Sequence, residues 1–284
     1  MPTFTNQAVL SYNGLTTASN TVTGELIDVL SVSKTSLVNT YTSGQNMTYV
    51  ISLVNTGNTD FTNLTVTDNL GAYSFGAGEI VPLTYVPGSI QYYADGALQP
   101  QPAVTAGPPL VVTGIRVPAN GNASIVYEAN VNEFAPLGTG DAINNSVSVT
   151  GASVNEPLTA AEAVTAADNP ALTISKAMNP TTVSDGDTLT YTFLLENSGN
   201  TAADAASNVA ITDNFNPVLN PITVTLNGAP LTQGTDYTYD TATGAFATIP
   251  GRITVPAAGF TQNAATGRYA VTPGTSTLVV SGTV

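Results

Sequence analysis

Tyr49-Val50-Ile51-Ser52-Leu53-Val54-Asn55-Thr56-Gly57-Asn58 returns 142 residues later as Tyr191-Thr192-Phe193-Leu194-Leu195-Glu196-Asn197-Ser198-Gly199-Asn200. Each run is short, apolar and rich in β-branched or aromatic residues. Each is closed by Asn-x-Gly-Asn, so it reads as a strand ending in a turn. Working outward, residues 17–58 align with residues 159–200 without a gap, pairing Ala18 with Ala160, Val22 with Val164 and Lys34 with Lys176. After a three-residue insertion in the second copy, Val66-Thr67-Asp68-Asn69 matches Ile211-Thr212-Asp213-Asn214. Further on, Arg116-Val117-Pro118-Ala119 resembles Ile253-Thr254-Val255-Pro256-Ala257, and residues 124–131 resemble 276–283. A repeat of this length marks two copies of one domain.

Both copies carry short strand patterns with turn signals between them. Asp95-Gly96 follows the run at 90–93, and Asn227-Gly228 follows the run at 223–226, each a hairpin signal. Residues 157–167 would pass for a helix on their alanines. Their counterpart at 15–24 is rich in Thr and reads as extended, so both are expected to be extended. The expected fold class is all-β: two tandem immunoglobulin-like β-sandwiches, at residues 15–153 and 154–284. Charged residues are 8% of the 284, against the usual ~25%. With net charge −14 and five basic residues, no basic patch for nucleic acid can form. Cysteine and histidine are absent, which removes thiol chemistry, the usual zinc sites and Ser-His-Asp catalysis. No apolar run approaches 18 residues, so no membrane span is expected.

Residues 1–12 are the stretch the repeat does not explain. Phe4, Asn6, Ala8 and Leu10 alternate with Thr5, Gln7 and Val9, a strand's period of two. Their nearest match is Ile143, Asn145, Val147 and Val149, which closes the first copy. The second copy reaches Val284 without such a strand. The expectation is that residues 1–14 are a donor strand completing the second repeat of a neighbouring molecule, with Phe4, Ala8, Leu10 and Tyr12 at the interface. Met1 leads straight into this strand, so export is expected either after removal of a signal or by another route.

Ser33-Lys34-Thr35, the run at 49–57 and Leu64-Thr65-Val66-Thr67-Asp68 together resemble the "conserved repeat domain" family of bacterial surface proteins. The resemblance covers most of both copies. It implies Ig-like domains in secreted or surface-anchored stalks and fibres, at an extracellular or cell-surface location. A sorting motif of the Leu-Pro-x-Thr-Gly kind is not present.

The chain's two lysines, Lys34 and Lys176, occupy one position in the repeat. Alternation puts Lys34 on the face of Leu30 and Val32, and Lys176 on that of Leu172 and Ile174. Asp68 shares a face with Leu64 and Val66, and Asp213 with Val209 and Ile211. Asn145 shares one with Ile143 and Val147, and Asn6 with Phe4 and Ala8. A desolvated lysine loses its proton more easily and becomes a nucleophile. Lysine, asparagine and a carboxylic acid in a dry core are the parts of an intramolecular isopeptide bond. By resemblance to collagen-adhesin-type pilin domains, Lys34 would join Asn145 with Asp68 as acid/base. Lys176 would join Asn6 of another molecule with Asp213 as acid/base. Glu128 is a rival acid, but its counterpart is Ser281. Asn144 is a rival to Asn145 that alternation turns outward. The same residues could instead be an unreacted ion pair beside a turn-capping asparagine. Asp185-Gly186-Asp187 and Asn58-Thr59-Asp60 could offer oxygen ligands to calcium, though turn chemistry explains them better. Tyr92, Tyr93, Tyr237 and Tyr239 read as strand and interface residues.

The first functional reading is a structural subunit that polymerises head to tail by strand donation, its partners being further copies of itself. The alternative is a monomeric adhesin stalk or a carbohydrate- or protein-binding module. In that case a flexible connector at 13–33 would fold the strand back onto its own second domain. Neither reading needs a cofactor or a metal, and neither is an enzyme beyond autocatalytic cross-linking. Any surface ligand is left open.

Overall fold

The computed structural model describes residues 3–25 and 29–284, which are built from strands apart from one turn of 3-10 helix at Ala205–Ser207. The strands follow the alternation of the sequence. In Asn46–Asn55, for example, Met47, Tyr49, Ile51 and Leu53 are buried while the residues between them are not.

Residues 3–25 form a separate hairpin. Strand β1 (Thr3–Asn6) pairs with β4 (Val22–Glu25), and β2 (Val9–Tyr12) with β3 (Leu15–Ala18). Tyr12 faces Leu15 across Asn13 and Gly14, whose φ angles of 46° and 78° make the two-residue turn that twisted strands favour. The register shifts by one across Gln7 and Ala8, because Asn6 pairs with Val22 but Val9 with Ala18.

The first sandwich comprises β5 (Leu30–Ser36), β6 (Thr40–Tyr41), β7 (Asn46–Asn55), β8 (Phe61–Asp68), β9 (Tyr73–Phe75), β10 (Gly78–Ile80), β11 (Leu83–Tyr85), β12 (Gln91–Ala94), β13 (Ala97–Leu98), β14 (Ala103–Thr105), β15 (Leu110–Val117), β16 (Gly121–Val131), β17 (Ala142–Thr150) and β18 (Leu158–Ala166). One sheet runs β13-β12-β16-β7-β5, with β11 also on β16. The facing sheet runs β14-β15-β8-β17-β18-β6. Their inner faces meet in one core that includes Tyr49, Ile51, Leu64, Ile115, Tyr127 and Val147.

The second sandwich comprises β19 (Leu172–Asn179), β20 (Thr188–Asn197), β21 (Thr212–Asn214), β22 (Ile222–Leu226), β23 (Ala229–Pro230), β24 (Tyr237–Tyr239), β25 (Ala245–Thr248), β26 (Gly259–Gln262), β27 (Tyr269–Thr272) and β28 (Gly274–Thr283). Its main sheet, β19-β20-β28-β22-β23, repeats β5-β7-β16-β12-β13 strand for strand. Its second sheet is only β21-β25-β24. Among the described residues it has no counterpart of β17, β18 and β6. The repeated Asn-x-Gly-Asn turn has the same bonds in both copies. Asn55 accepts from Gly57 N–H and donates to the Thr59 and Pro118 carbonyls; Asn197 does the same with Gly199, Thr201 and Pro256. Each asparagine thus supplies partners for backbone groups that the end of a strand would leave bare. The β26–β27 hairpin reaches back to the first sandwich. Tyr269 N–H donates to the Glu133 carbonyl at 2.9 Å, and Gln262 Nε2 to the Tyr73 hydroxyl at 3.0 Å.

Three expectations need correction. The run at 1–12 is not one unbroken strand; its described part breaks at Gln7 and Ala8 and pairs with residues 15–25. The described part of residues 13–33 is not a flexible connector either, since it holds the turn, β3, β4 and the start of β5 (residues 26–28 lie outside those described). The boundary at 153/154 cuts through a strand pair: β18 is zipped to β17 from Ala142↔Thr165 to Val149↔Leu158 and belongs to the first sandwich. Hairpin partners separated by a short loop pair locally before anything distant competes, and the repeat alignment alone does not reveal this.

Candidate functional site

Lys34 sits at the centre of β5, on the edge of its sheet, and points inward. Asp68 ends β8 on the facing sheet, and Asn145 lies in β17 beside it. All three are buried, with Asn145 at 0% exposure. Lys34 Nζ is 2.5 Å from Asp68 Oδ2, and its side chain is fully covered. Asp68 Oδ1 accepts from Leu70 N–H at 3.0 Å. Tyr127, on β16, completes the cluster. Its hydroxyl donates to Asp68 Oδ2 at 2.6 Å and accepts from Asn145 Nδ2 at 3.0 Å. Gly71 N–H donates to Asn145 Oδ1 at 3.2 Å. Only glycine fits there, because φ is +74° and a Cβ would stand 2.6 Å from Ile143 Cγ2.

The electrostatics follow from burial. Desolvation lowers the Lys34 pKa to about 8, partly opposed by the charge of Asp68, its hydrogen bond, and Glu162. Burial also raises the Tyr127 phenol well above its ordinary value, and the Asp68 carboxylate pushes it the same way. The Lys34 amine lies over the Tyr49 ring at 5.0 Å, and the Tyr49 and Tyr127 rings stack at 5.5 Å. An amine that sheds its proton near neutrality, an acid bonded to it, and an amide whose oxygen and nitrogen are each held therefore meet in a dry core. That arrangement suits acyl transfer from the Asn145 amide to the Lys34 amine.

The second site has half of these parts. Lys176, on β19, is paired with Asp213 Oδ2 on β21. Their side chains are 40% and 18% exposed, against 0% and 2% for Lys34 and Asp68. Sequence alternation turned Lys176 inward onto an apolar face. It does lie over the Tyr191 ring at 4.3 Å, but the described residues leave 40% of its side chain exposed. In the first sandwich β18 packs across β5 and covers Lys34. Asn6 lies on the N-terminal hairpin opposite Val22, and within one chain it is not brought to Lys176. Ala8, Leu10 and Tyr12 are exposed on the same hairpin, while Phe4 is placed by its backbone opposite Gly24.

The rivals fall elsewhere. Asn144 is exposed. Glu128 alternates with Tyr127 and so leaves the other face of β16, away from the cluster. Asp187 Oδ2 accepts from Ser184 N–H at 2.7 Å and closes a turn, and Asp60 Oδ1 accepts from Ala119 N–H at 2.9 Å and ties two loops together. Tyr92 and Tyr239 are core residues that donate to the Arg116 and Leu219 carbonyls. Tyr127 was missed in the sequence because the repeat hides it. It pairs with Tyr49, whereas Tyr191 pairs with Val280, so the second copy has valine in its place.

No family model matches the chain, and no curated protein does. Among solved structures, the major pilin subunit of Bacillus cereus is similar at 12% identity, over 96% of this chain and 73% of that one, with a TM-score of 0.37. A 35 kDa C-terminal fragment of the major pilin of Streptococcus agalactiae is similar at 12% identity, over 52% and 58%, with a TM-score of 0.33. The collagen-binding domain of a Staphylococcus aureus adhesin is similar at 10% identity, over 49% and 99%, with a TM-score of 0.30.

Proposed function

We propose that this protein is the structural subunit of an extracellular fibre, assembled head to tail by donation of its N-terminal segment and locked by Lys–Asn isopeptide bonds. The observation that carries the reading is the mismatch between the two copies. The second sandwich leaves Leu172, Ile174, Lys176 and Met178 in solvent, and the chain carries an N-terminal strand pair with no sandwich of its own. Surfaces of this kind mark interaction sites, and added strands supply main-chain bonds along an edge. A contact that joins one end of a subunit to the other end of the next does not close, so it gives filaments.

The lock is an acyl transfer. Lys34 gives a proton to Asp68, and the free amine adds to Asn145 Cγ while Gly71 N–H holds Oδ1. The excess proton on the attacking nitrogen passes by way of Asp68 and Tyr127 to Nδ2. The Cγ–Nδ2 bond breaks, ammonia leaves, and an Nζ–Cγ amide remains. Between subunits, Lys176 and Asp213 would act on Asn6 in the same way.

Electrophoresis in boiling detergent tests the reading directly. Wild-type protein is expected to run as a ladder of covalent multimers. Asn6→Ala is expected to form filaments at high concentration that fall apart to monomers in detergent. A wild-type protein that stays monomeric at every concentration overturns the proposal. Ladders from Asn6→Ala place the covalent link at another residue.

A further inference from the structure

We infer that the donor is the whole hairpin of residues 3–25, not its first strand, and that its second strand switches on the chemistry at Lys176 by covering it on a second copy of this chain. The inference rests on the fibre reading above. Residues 17–25 are the repeat copy of 159–167, which hold most of β18. In the first sandwich β17 and β18 act as one unit. The strand β17 pairs with β8 beside Asp68, while β18 crosses β5 and pairs in parallel with β6 through Thr165↔Thr40 and Ala166↔Tyr41. Among the described residues the second sandwich has no counterparts of β17 and β18, and by the repeat its residues 182–183 correspond to β6.

The two surfaces match position by position. Inward positions of β18 are Leu158, Ala160, Glu162, Val164 and Ala166. Their counterparts Thr16, Ala18, Asn20, Val22 and Gly24 are all uncharged and small enough for the same seat. Val164 is fully buried, whereas Val22 is 56% exposed. On the acceptor side, Leu30 is 5% exposed and its counterpart Leu172 is 38%. What β18 hides on the first copy is therefore bare on the second, and what would hide it is bare on the hairpin.

The occupant must be another molecule. Seated as β18 is seated, Gly24 would lie beside Val183, at the end of the second sandwich away from the first. Leu30 pairs with Asn55, at the end of the first sandwich away from the second. A fold-back would span both sandwiches, each about 30 Å along a ten-residue strand. The five steps from Glu25 to Leu30 reach at most about 18 Å.

Covering Lys176 has a chemical consequence. The Lys176 side chain is 40% exposed, whereas that of Lys34 is fully covered. Docking of the second strand would seal Lys176 against Asp213 as β18 seals Lys34 against Asp68, so the bond forms only where a hairpin has seated.

Full-length variants test this. Val22→Asp leaves residues 3–12 and Asn6 intact and alters a side chain that is exposed in the monomer. It is expected to lower the covalent multimer fraction at least about tenfold, as a charge in the groove should, and to act as a chain terminator when mixed with wild type. Amine acetylation read by mass spectrometry is expected to label Lys176 but not Lys34 in fresh monomer, and to lose Lys176 on assembly. If Val22→Asp polymerises like wild type while Leu10→Asp does not, the first strand alone is the donor and the inference is overturned, with the fibre reading intact. If wild type gives no multimers, both fall.

Discussion

At the scale of single residues, Asp68 holds two proton donors at one oxygen, Lys34 at 2.5 Å and Tyr127 at 2.6 Å. Intact mass is expected to lie one ammonia below the sequence mass, with Asp68→Ala restoring the full value. Tyr127→Phe keeps the ring stack but breaks the path to Nδ2. It is expected to slow bond formation by about 10²–10⁴, the usual range for a positioned acid–base group, read as the mass shift with time in newly made protein. Asn145→Ala leaves Lys34 unreacted and gives a pH signature. Folded Lys34 titrates at about 8 and the unfolded lysine at 10.5. The unfolded state therefore binds more protons between these values, and stability rises with pH across that window. Thermal melting of Asn145→Ala is expected to move upward from pH 8 to 10.5, and a flat profile would show that the amine stays charged in the core. Lys34, Asp68 and Asn145 could be read from alternation, because the period of a strand tells which side a residue faces. Tyr127 could not, since comparison of the copies discards a residue that only one of them has.

At the scale of elements, the strand content was legible almost throughout. The repeat carried 158–166 past its helix-forming alanines, because Thr16-Thr17 and Thr21-Val22-Thr23 in its counterpart favour extended chain. The hairpin at 3–25 departs from the single strand expected there, although Asn13-Gly14 between two alternating runs is a strong local turn signal. Residues 1–12 resemble β17, and residues 17–25 align with most of β18, so neither match taken alone shows that the two segments pair with each other. Register was beyond the sequence too: Asn145 pairs with Glu162, whose counterpart is Asn20, but Asn6 pairs with Val22. A chain beginning at residue 29 keeps every strand of both sandwiches. It is expected to fold and to form the Lys34–Asn145 bond. It is also expected to shorten wild-type fibres in proportion to its concentration, as counted by electron microscopy.

At the scale of the whole molecule, the two sandwiches are braced by the β26–β27 hairpin. Glu133 accepts Tyr269 N–H and faces Arg268 at 3.3 Å, and Tyr73 accepts from Gln262. The Arg268–Glu133 pair is exposed and worth little alone, so the backbone bond and the Tyr73 contact carry the brace. Tyr73→Phe combined with Gln262→Ala is expected to leave both sandwiches folded and to widen the bend-angle distribution of filaments in electron micrographs; unchanged straightness would put the stiffness elsewhere. The position of Lys34 bears on mechanical load. Tension enters the first sandwich at β5 and leaves through β18. A bond from Lys34 to Asn145 joins the entry strand β5 to β17, the hairpin partner of the exit strand β18. Pulling force then runs from Leu30 to Lys34, across one amide, and out along β17 and β18, and the cores between them bear none of it. With Lys176 joined to the next subunit's Asn6, the same shortcut repeats in every sandwich. A fibre built this way is a chain of covalent links with the residues between Lys34 and Asn145 hung on its side, and it should lengthen only as far as the hairpins left in the load path can unzip.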